Sequence, residues 1–140
     1  MMLVPNYISQ SPIHGIGIFA KEFIAKNTLL YAFDERVDRN YTFEEYNALP
    51  EVMKDYCKTY GYFCPVAGCY QLEVDNGRFT NHSFTPNTYF SPCLRYMYAK
   101  YDIMKNEEIT SDYREFDAKW PDYAHLFGSD PVTMRHICAA

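Results

Sequence analysis

The sequence predicts one mainly β domain with a small helical insert and a short C-terminal helical segment. Its 140 residues match the length of a single domain. Aromatic residues, chiefly 14 Tyr and 10 Phe, make up 18% of the chain, and aromatic side chains favour strands. Short apolar segments bounded by turn residues recur along the chain, whereas helical periodicity is confined to residues 42–61. Residues 1–140 are therefore predicted to form one β-rich domain.

The predicted strands are short and lie on both sides of the helical region. In chain order they are residues 7–9, 15–20, 28–33, 70–74, 98–103 and 108–110. Asn27 comes directly before the third of these strands, and Asn106 comes shortly before the last. Because asparagine tolerates a positive φ better than most residues, both positions are predicted to form tight turns.

Two helices are predicted in the middle of the chain. Thr42, followed three residues later by Glu45, has the pattern of a capping box, so the first helix should begin after Thr42. The second should begin after Pro50 and end at Gly61, because glycine is a common residue at helix C-termini. An Asp-Pro pair at residues 130–131 favours the start of a last short helix.

The charge pattern narrows the class of partner. Thirteen Lys and Arg against 18 Asp and Glu give a net charge of −5. The basic residues are scattered singly, so direct binding of nucleic acid is not expected, while an acidic surface suits a basic partner such as a lysine-rich peptide. Neither an apolar run of about 20 residues nor a signal-peptide pattern is present. We expect no membrane partner and an intracellular protein, cytoplasmic or nuclear.

The five cysteines are an odd number and include no C-x-x-C pair, which argues against a disulfide framework. Reduced thiols are expected, and no metal is expected in the leading interpretation. One alternative is a small zinc-binding interaction domain, although the spacing of its ligands is a weak zinc signal. Its four ligands would be Cys57, Cys64, Cys69 and His82.

Three separated motifs carry the functional information. They are G-x-G-x-F at residues 15–19, R-F-x-N-H-S-x-x-P-N at residues 78–87, and E-E-x-T-x-D-Y at residues 107–113. Each alone is typical of a turn, a polar loop or a strand end. Together, in this order, they closely resemble the SET-domain protein lysine methyltransferases, along about residues 7–116. The resemblance implies a SET-domain β-clip fold with a pseudoknot, in which the last motif passes through a loop formed by the middle one.

The same resemblance implies S-adenosylmethionine as the cofactor and gives individual residues their roles. Tyr113 would be the catalytic tyrosine, which orients the target amine rather than acting as a general base. The cofactor site would comprise Gly15, Ile16, Gly17, Phe19, Asn81, His82, Tyr113 and Trp120, with Trp120 covering the adenine. The substrate channel would be lined by Tyr89, Phe90 and Ser111. Phe90 would tune the number of methyl groups, and a shift of one residue would give that place to Tyr89.

The chain also departs from the family pattern. Phe84 stands where many members have a cysteine, and only Cys138 follows Tyr113, so no zinc cluster can close the site there. A second subunit could supply the missing wall, which favours a homodimer. Residues 34–74 correspond to a variable insert, and residues 114–140 to a C-terminal flanking segment. The function implied is methyl transfer to a lysine of a histone or another protein. The alternative is a SET-like binding or scaffold module that has lost turnover.

Overall fold

The computed structural model describes residues 1–128 of the chain. The helix predicted from residues 130–131 lies outside the described residues. Within residues 1–128 the fold is mainly β, with short strands in four small sheets and a few short helices, as the sequence predicts. No helix in this part of the chain is long and apolar enough to cross a membrane.

Four small sheets build the fold. Strands β1 (Asn6–Gln10) and β2 (Ile16–Ala20) form an antiparallel pair. A second sheet has the order β3 (Leu29–Ala32), β9 (Tyr96–Ala99), β8 (Thr88–Phe90), and a third has the order β4 (Arg39–Tyr41), β6 (Cys69–Leu72), β5 (Gly61–Cys64). The fourth pairs β7 (Asn81–His82) with β10 (Thr110–Ser111), and it is parallel.

The main core lies between the first two sheets and the chain that leads to β10. Ile18, Leu30, Ile103 and Ile109 have no exposed surface there. Two predicted turns shape this region, because Asn27 has a φ of 67° and Asn106 a φ of 69°. A second cluster, around Tyr62 and Phe116, packs beside Phe90 and Tyr113. This second cluster contributes to the wall of a cavity.

The helical insert contains α1 (Phe43–Asn47) and α2 (Glu51–Tyr60). The capping box is confirmed, since the Thr42 side chain accepts the Glu45 N–H and the Glu45 carboxylate accepts the Thr42 N–H. Gly61 follows α2 as predicted, but its φ of −107° is not that of a left-handed cap. A Cβ at Gly61 would lie 2.6 Å from the Cys57 carbonyl oxygen, so close backbone packing explains this glycine.

Each of the six predicted strands overlaps an observed strand, but the first and last residues differ. Ile103, predicted inside a strand, forms only an isolated bridge with Ile24. Strands β4, β5, β7 and β8 are absent from the prediction. Short 3-10 helices span Asn76–Phe79, Tyr113–Glu115 and Ala124–Phe127, and α3 spans Trp120–Tyr123.

Candidate active site

The third motif passes through a loop that the second motif forms. On one side, Thr110 and Ser111 pair in parallel with Asn81 and His82. On the other side, Asn87 accepts the Thr110 N–H at 2.9 Å and donates its amide to the Glu108 carbonyl at 2.8 Å. The segment is therefore held between both ends of the loop 82–87. This arrangement is the pseudoknot that the resemblance implies.

Glu108 connects all three motifs. Its carboxylate accepts hydrogen bonds from the Ser11 hydroxyl at 2.8 Å and from the Asn81 amide at 2.8 Å. A Cβ at Gly17 would collide with the same carboxylate, lying 2.8 Å from Glu108 Cδ. Gly17 is therefore required because Glu108 fills the space that a Cβ would occupy.

Asn81 holds the glycine turn in place. Besides Glu108, its side-chain amide donates to the backbone carbonyls of His14 at 3.0 Å and Ile16 at 3.2 Å. The residue is only 8% exposed. Its N–H groups are thus engaged within the protein, whereas the sequence suggested that they would be offered to a ligand.

A cavity of about 880 Å³ opens beside the three motifs. Gly15 stands at its wall with a φ of +48°, and no atom lies within 4 Å of the place where a Cβ would point. The positive φ favours glycine, and the open space leaves the backbone accessible. Six predicted site residues meet around this cavity: Gly15, Ile16, Asn81, Phe90, Ser111 and Tyr113.

Tyr113 is partly buried at this cavity, and its hydroxyl donates to the Thr80 carbonyl oxygen at 2.7 Å. Its backbone N–H donates to His82 Nδ1 at 3.1 Å, which ties the tyrosine to the second motif. Burial, followed by the charge of Glu73, raises the pKa of Tyr113 well above its usual range. The hydroxyl therefore keeps its proton at neutral pH and acts as a hydrogen-bonding group.

The structure separates the two candidates for the channel position. Phe90 lines the cavity and packs against the Phe116 ring, with 4.8 Å between ring centroids. Tyr89 lies on the opposite face of β8, because successive strand residues alternate. Its ring stacks on Tyr98 at 5.5 Å, and its hydroxyl donates to Asn27. The structure brings Phe90 to the cavity and does not bring Tyr89 there.

Four other predicted residues lie away from the 880 Å³ cavity. Gly17 and Phe19 do not line it, and the Phe19 ring stacks on Tyr7 at 5.5 Å. His82 and Trp120 form an aromatic cluster beside it, with their ring centroids 4.5 Å apart. His82 also lines a second cavity of about 720 Å³, together with Phe84 and Phe127. Trp120, the predicted adenine cover, packs against His82 and lines neither cavity.

Residues 15–114 match the family model of the SET domain. The chain belongs to the SET-domain family. No curated protein sequence matches it. Among solved structures, this SET domain is similar to a candidate histone methyltransferase of Plasmodium falciparum, with 25% identity and a TM-score of 0.55. That similarity covers 80% of this chain and 95% of the Plasmodium chain.

A second similar structure is a humanized mutant of the Chaetomium thermophilum Polycomb Repressive Complex 2, bound to an inhibitor. It is 16% identical with a TM-score of 0.60, and the similarity covers 84% of this chain and 16% of that one. This second likeness concerns the fold alone. The family match and the Plasmodium structure together support a methyltransferase of the SET family.

The described cysteines are free thiols, and three of them, Cys57, Cys64 and Cys69, are buried. Within residues 1–128, no group of three or more His, Cys, Asp or Glu side chains comes close enough to hold a metal ion. The four residues named for a zinc-binding domain therefore do not meet. The structure does not support that alternative.

Three residues at the cavity were given no functional role by the sequence analysis. Tyr62 lies on β5, which was not predicted, and Glu73 follows β6 as one of nine glutamates. Arg78 belongs to the second motif, but no role followed from its position. All three line the 880 Å³ cavity of the SET domain.

Proposed function

We propose that this SET domain transfers methyl groups from S-adenosylmethionine to the ε-amine of a lysine in a histone or another protein. The observation that carries the proposal is the Tyr113 hydroxyl, which lies in the wall of a cavity between a glycine turn and an aromatic wall. Methyl transfer from a sulfonium to an amine is an in-line displacement, so the protein must mainly align the reactants and exclude water. A protonated, fixed tyrosine hydroxyl suits this task.

The cavity wall offers groups that fit S-adenosylmethionine. Gly15 gives open access to the backbone of the glycine turn. Arg78 donates Nη1 to the Tyr56 hydroxyl at 2.6 Å, while its Nε is buried without a hydrogen-bond partner among residues 1–128. An unpaired buried donor is costly, so Arg78 suits a ligand carboxylate. Gly15, Ile16 and Arg78 would hold the cofactor, which when bound supplies a methyl group on a cationic sulfur.

The aromatic part of the cavity wall fits the side chain of a lysine. Phe90 and Tyr62 both contact the Phe116 ring, with centroid distances of 4.8 and 4.9 Å. Such an aromatic wall can cover the apolar stem of a lysine while the amine reaches Tyr113. Ser111 is small and carries no ring, which leaves space near the amine. We therefore expect that the enzyme adds more than one methyl group.

The direct test is transfer of a labelled methyl group from S-adenosylmethionine to core histones and to a protein lysate, with the modified residue identified by mass spectrometry. We expect label on lysine. A protein that binds the cofactor in titration calorimetry but labels no protein in either mixture would refute the transferase and favour a binding module without turnover.

Tyr113→Phe is the matched variant for this assay. It removes the hydroxyl and leaves the ring contacts with Phe116 and His82, so we expect turnover to fall by at least ~100-fold. The lost bond to the Thr80 carbonyl should cost about 1 kcal/mol of unfolding free energy. Near-normal turnover in a folded Tyr113→Phe protein would remove this hydroxyl from the mechanism.

A further inference from the structure

The Glu73 carboxyl group and the Tyr62 hydroxyl are two buried polar groups with no role in the reaction as described so far. Glu73 is 8% exposed and Tyr62 7% exposed, and both line the cavity that contains Tyr113. The Tyr62 hydroxyl has no hydrogen-bond partner among residues 1–128. A buried hydroxyl without a partner costs free energy unless a ligand pairs with it. These two groups are therefore available to a ligand in the cavity.

No positively charged side chain among the described residues pairs with the Glu73 carboxyl group. No Lys or Arg there forms a salt bridge with it, and the nearby Met1 ammonium is paired with Asp38 at 2.6 Å. The side-chain hydrogen bond of Glu73 is with the Tyr31 hydroxyl, which also bonds to Asp38. Asp117, the other buried acid at the cavity, differs in this respect. Its carboxylate accepts the N–H groups of Phe63 at 3.2 Å and Lys119 at 2.9 Å, as well as the Tyr123 hydroxyl. Asp117 is fully engaged, whereas Glu73 is left with an excess of acidic neighbours.

Packing fixes the Glu73 carboxyl group at this place. A Cβ at Gly77 would collide with Glu73 Oε2, so the glycine makes room for the carboxyl group. The groups that face Glu73 from the surrounding segments are Tyr31, Asp38, Tyr62, Asp75, Tyr113 and the Met1 ammonium. Burial, and then the charge of Asp38, raises the pKa of Glu73 to about 8.

We propose that Glu73 accepts the proton that the target lysine must lose before methyl transfer. This proposal rests on the proposed function. The N–H bond of the lysine ammonium breaks and an O–H bond forms on the Glu73 carboxylate, while the electron pair of the broken bond stays on nitrogen. The freed lone pair is the nucleophile that the reaction needs. Glu73 later releases the proton to water, and the Tyr62 hydroxyl binds the amine or the carboxyl group during the transfer.

The raised pKa makes this transfer feasible. An ordinary lysine has a pKa of about 10.4 and an ordinary glutamate about 4.3, so transfer between them is unfavourable by about 10⁶-fold. With Glu73 at about 8, the gap is 10.4 − 8 = 2.4 units, or about 250-fold. A dry cavity reduces the gap further, because burial also lowers the pKa of the lysine amine.

The first test is the pH dependence of kcat/KM between pH 6 and pH 10.5 for the wild type, Glu73→Gln and Glu22→Gln. Glu22 is an exposed acid that does not line the cavity, and its substitution is the matched control. We expect Glu73→Gln to lose at least ~30-fold at pH 7.5 and to approach the wild type near pH 10, where lysine loses its proton unaided. Glu22→Gln should follow the wild type throughout. A constant loss at every pH, or no loss, would overturn the proposal.

The second test needs neither activity nor a folded variant. In protein labelled with ¹³C at the glutamate carboxyl carbons, one signal should titrate near pH 8. n-Butylamine, as a probe for the lysine side chain, should lower that midpoint, because a nearby ammonium favours the carboxylate. 1-Butanol should leave it unchanged. A signal that ignores butylamine would overturn the proposal.

The two tests separate the two hypotheses. If the wild type labels no lysine but butylamine moves the Glu73 signal, the transferase is refuted, and with it the proton transfer, while Glu73 remains an amine-binding group. If the wild type is active and Glu73→Gln keeps its pH profile, the transferase stands and the role of Glu73 is refuted.

Discussion

Replacing Gly17 with alanine should destabilise the SET domain through Glu108. The new Cβ would lie 2.8 Å from Glu108 Cδ and 3.1 Å from Ser11 Cβ, so the carboxylate must move. Moving it weakens the hydrogen bonds from Ser11 and Asn81, both 2.8 Å long. Hydrogen bonds to a charged group contribute about 1.5–3 kcal/mol each. Because part of this pairing can re-form, we expect Gly17→Ala to lower the free energy of unfolding by about 2–4 kcal/mol.

The assay is urea unfolding followed by circular dichroism, in a double-mutant cycle with Glu108→Ala. Once Glu108 is truncated, the two closest contacts of the new methyl group are gone and Ser11 Cβ at 3.1 Å becomes the nearest, so Gly17→Ala should then cost less than about 1 kcal/mol. Gly15→Ala is the control, because its cost of about 1 kcal/mol arises from the positive φ and should be the same in both backgrounds. An equal cost of Gly17→Ala with and without Glu108 would refute the reasoning.

Three further outcomes are expected. Asn81→Ala should lower both cofactor affinity and the free energy of unfolding, the latter by about 2–3 kcal/mol, because the Asn81 amide holds the glycine turn. Titration calorimetry measures the affinity and urea unfolding the stability, and unchanged stability would contradict the role of Asn81 in holding the turn. Phe90→Tyr should restrict the product to monomethyl-lysine in mass spectrometry, whereas Tyr89→Phe should not change the products. A wild type that stops at one methyl group would show that Phe90 does not have the predicted role in the channel. The free energy of unfolding of the wild type, relative to that of Glu73→Gln, should fall as pH rises from about 4.5 to about 8, because over this range the unfolded chain has released the proton that folded Glu73 retains. If this difference in unfolding free energy stayed constant with pH, it would contradict the raised pKa of the buried carboxyl group.

Features set by short-range chemistry could be predicted from the sequence. The capping box at Thr42 and Glu45 joins a side chain to a backbone three residues away, and the turns at Asn27 and Asn106 depend on the conformational preference of one residue. The second motif is contiguous, so the family and the fold could be inferred from it. The position of Tyr113 at the cavity followed from the same inference.

Features that depend on packing between distant segments could not be predicted. Glu73 looks like any strand-end glutamate until Tyr62, from an unpredicted strand, is packed beside the same cavity. The choice between Tyr89 and Phe90 depends on which face of β8 turns inward, and the sequence fixes only that they point in opposite directions. The reason for Gly17 is a carboxylate more than 90 residues away, which no local pattern reveals.

The threaded segment also affects how the protein is made. Asn81 has no strand partner until Thr110 exists, and the two are 110 − 81 = 29 residues apart. At about 5–20 residues per second, a ribosome needs about 1.5–6 s to add that length. During this interval the nascent chain holds two motifs without the third, and its cavity lacks Tyr113. A ligand of the proposed site that is present during this interval therefore meets an incomplete site, and the passage of the third motif through the loop must precede any activity.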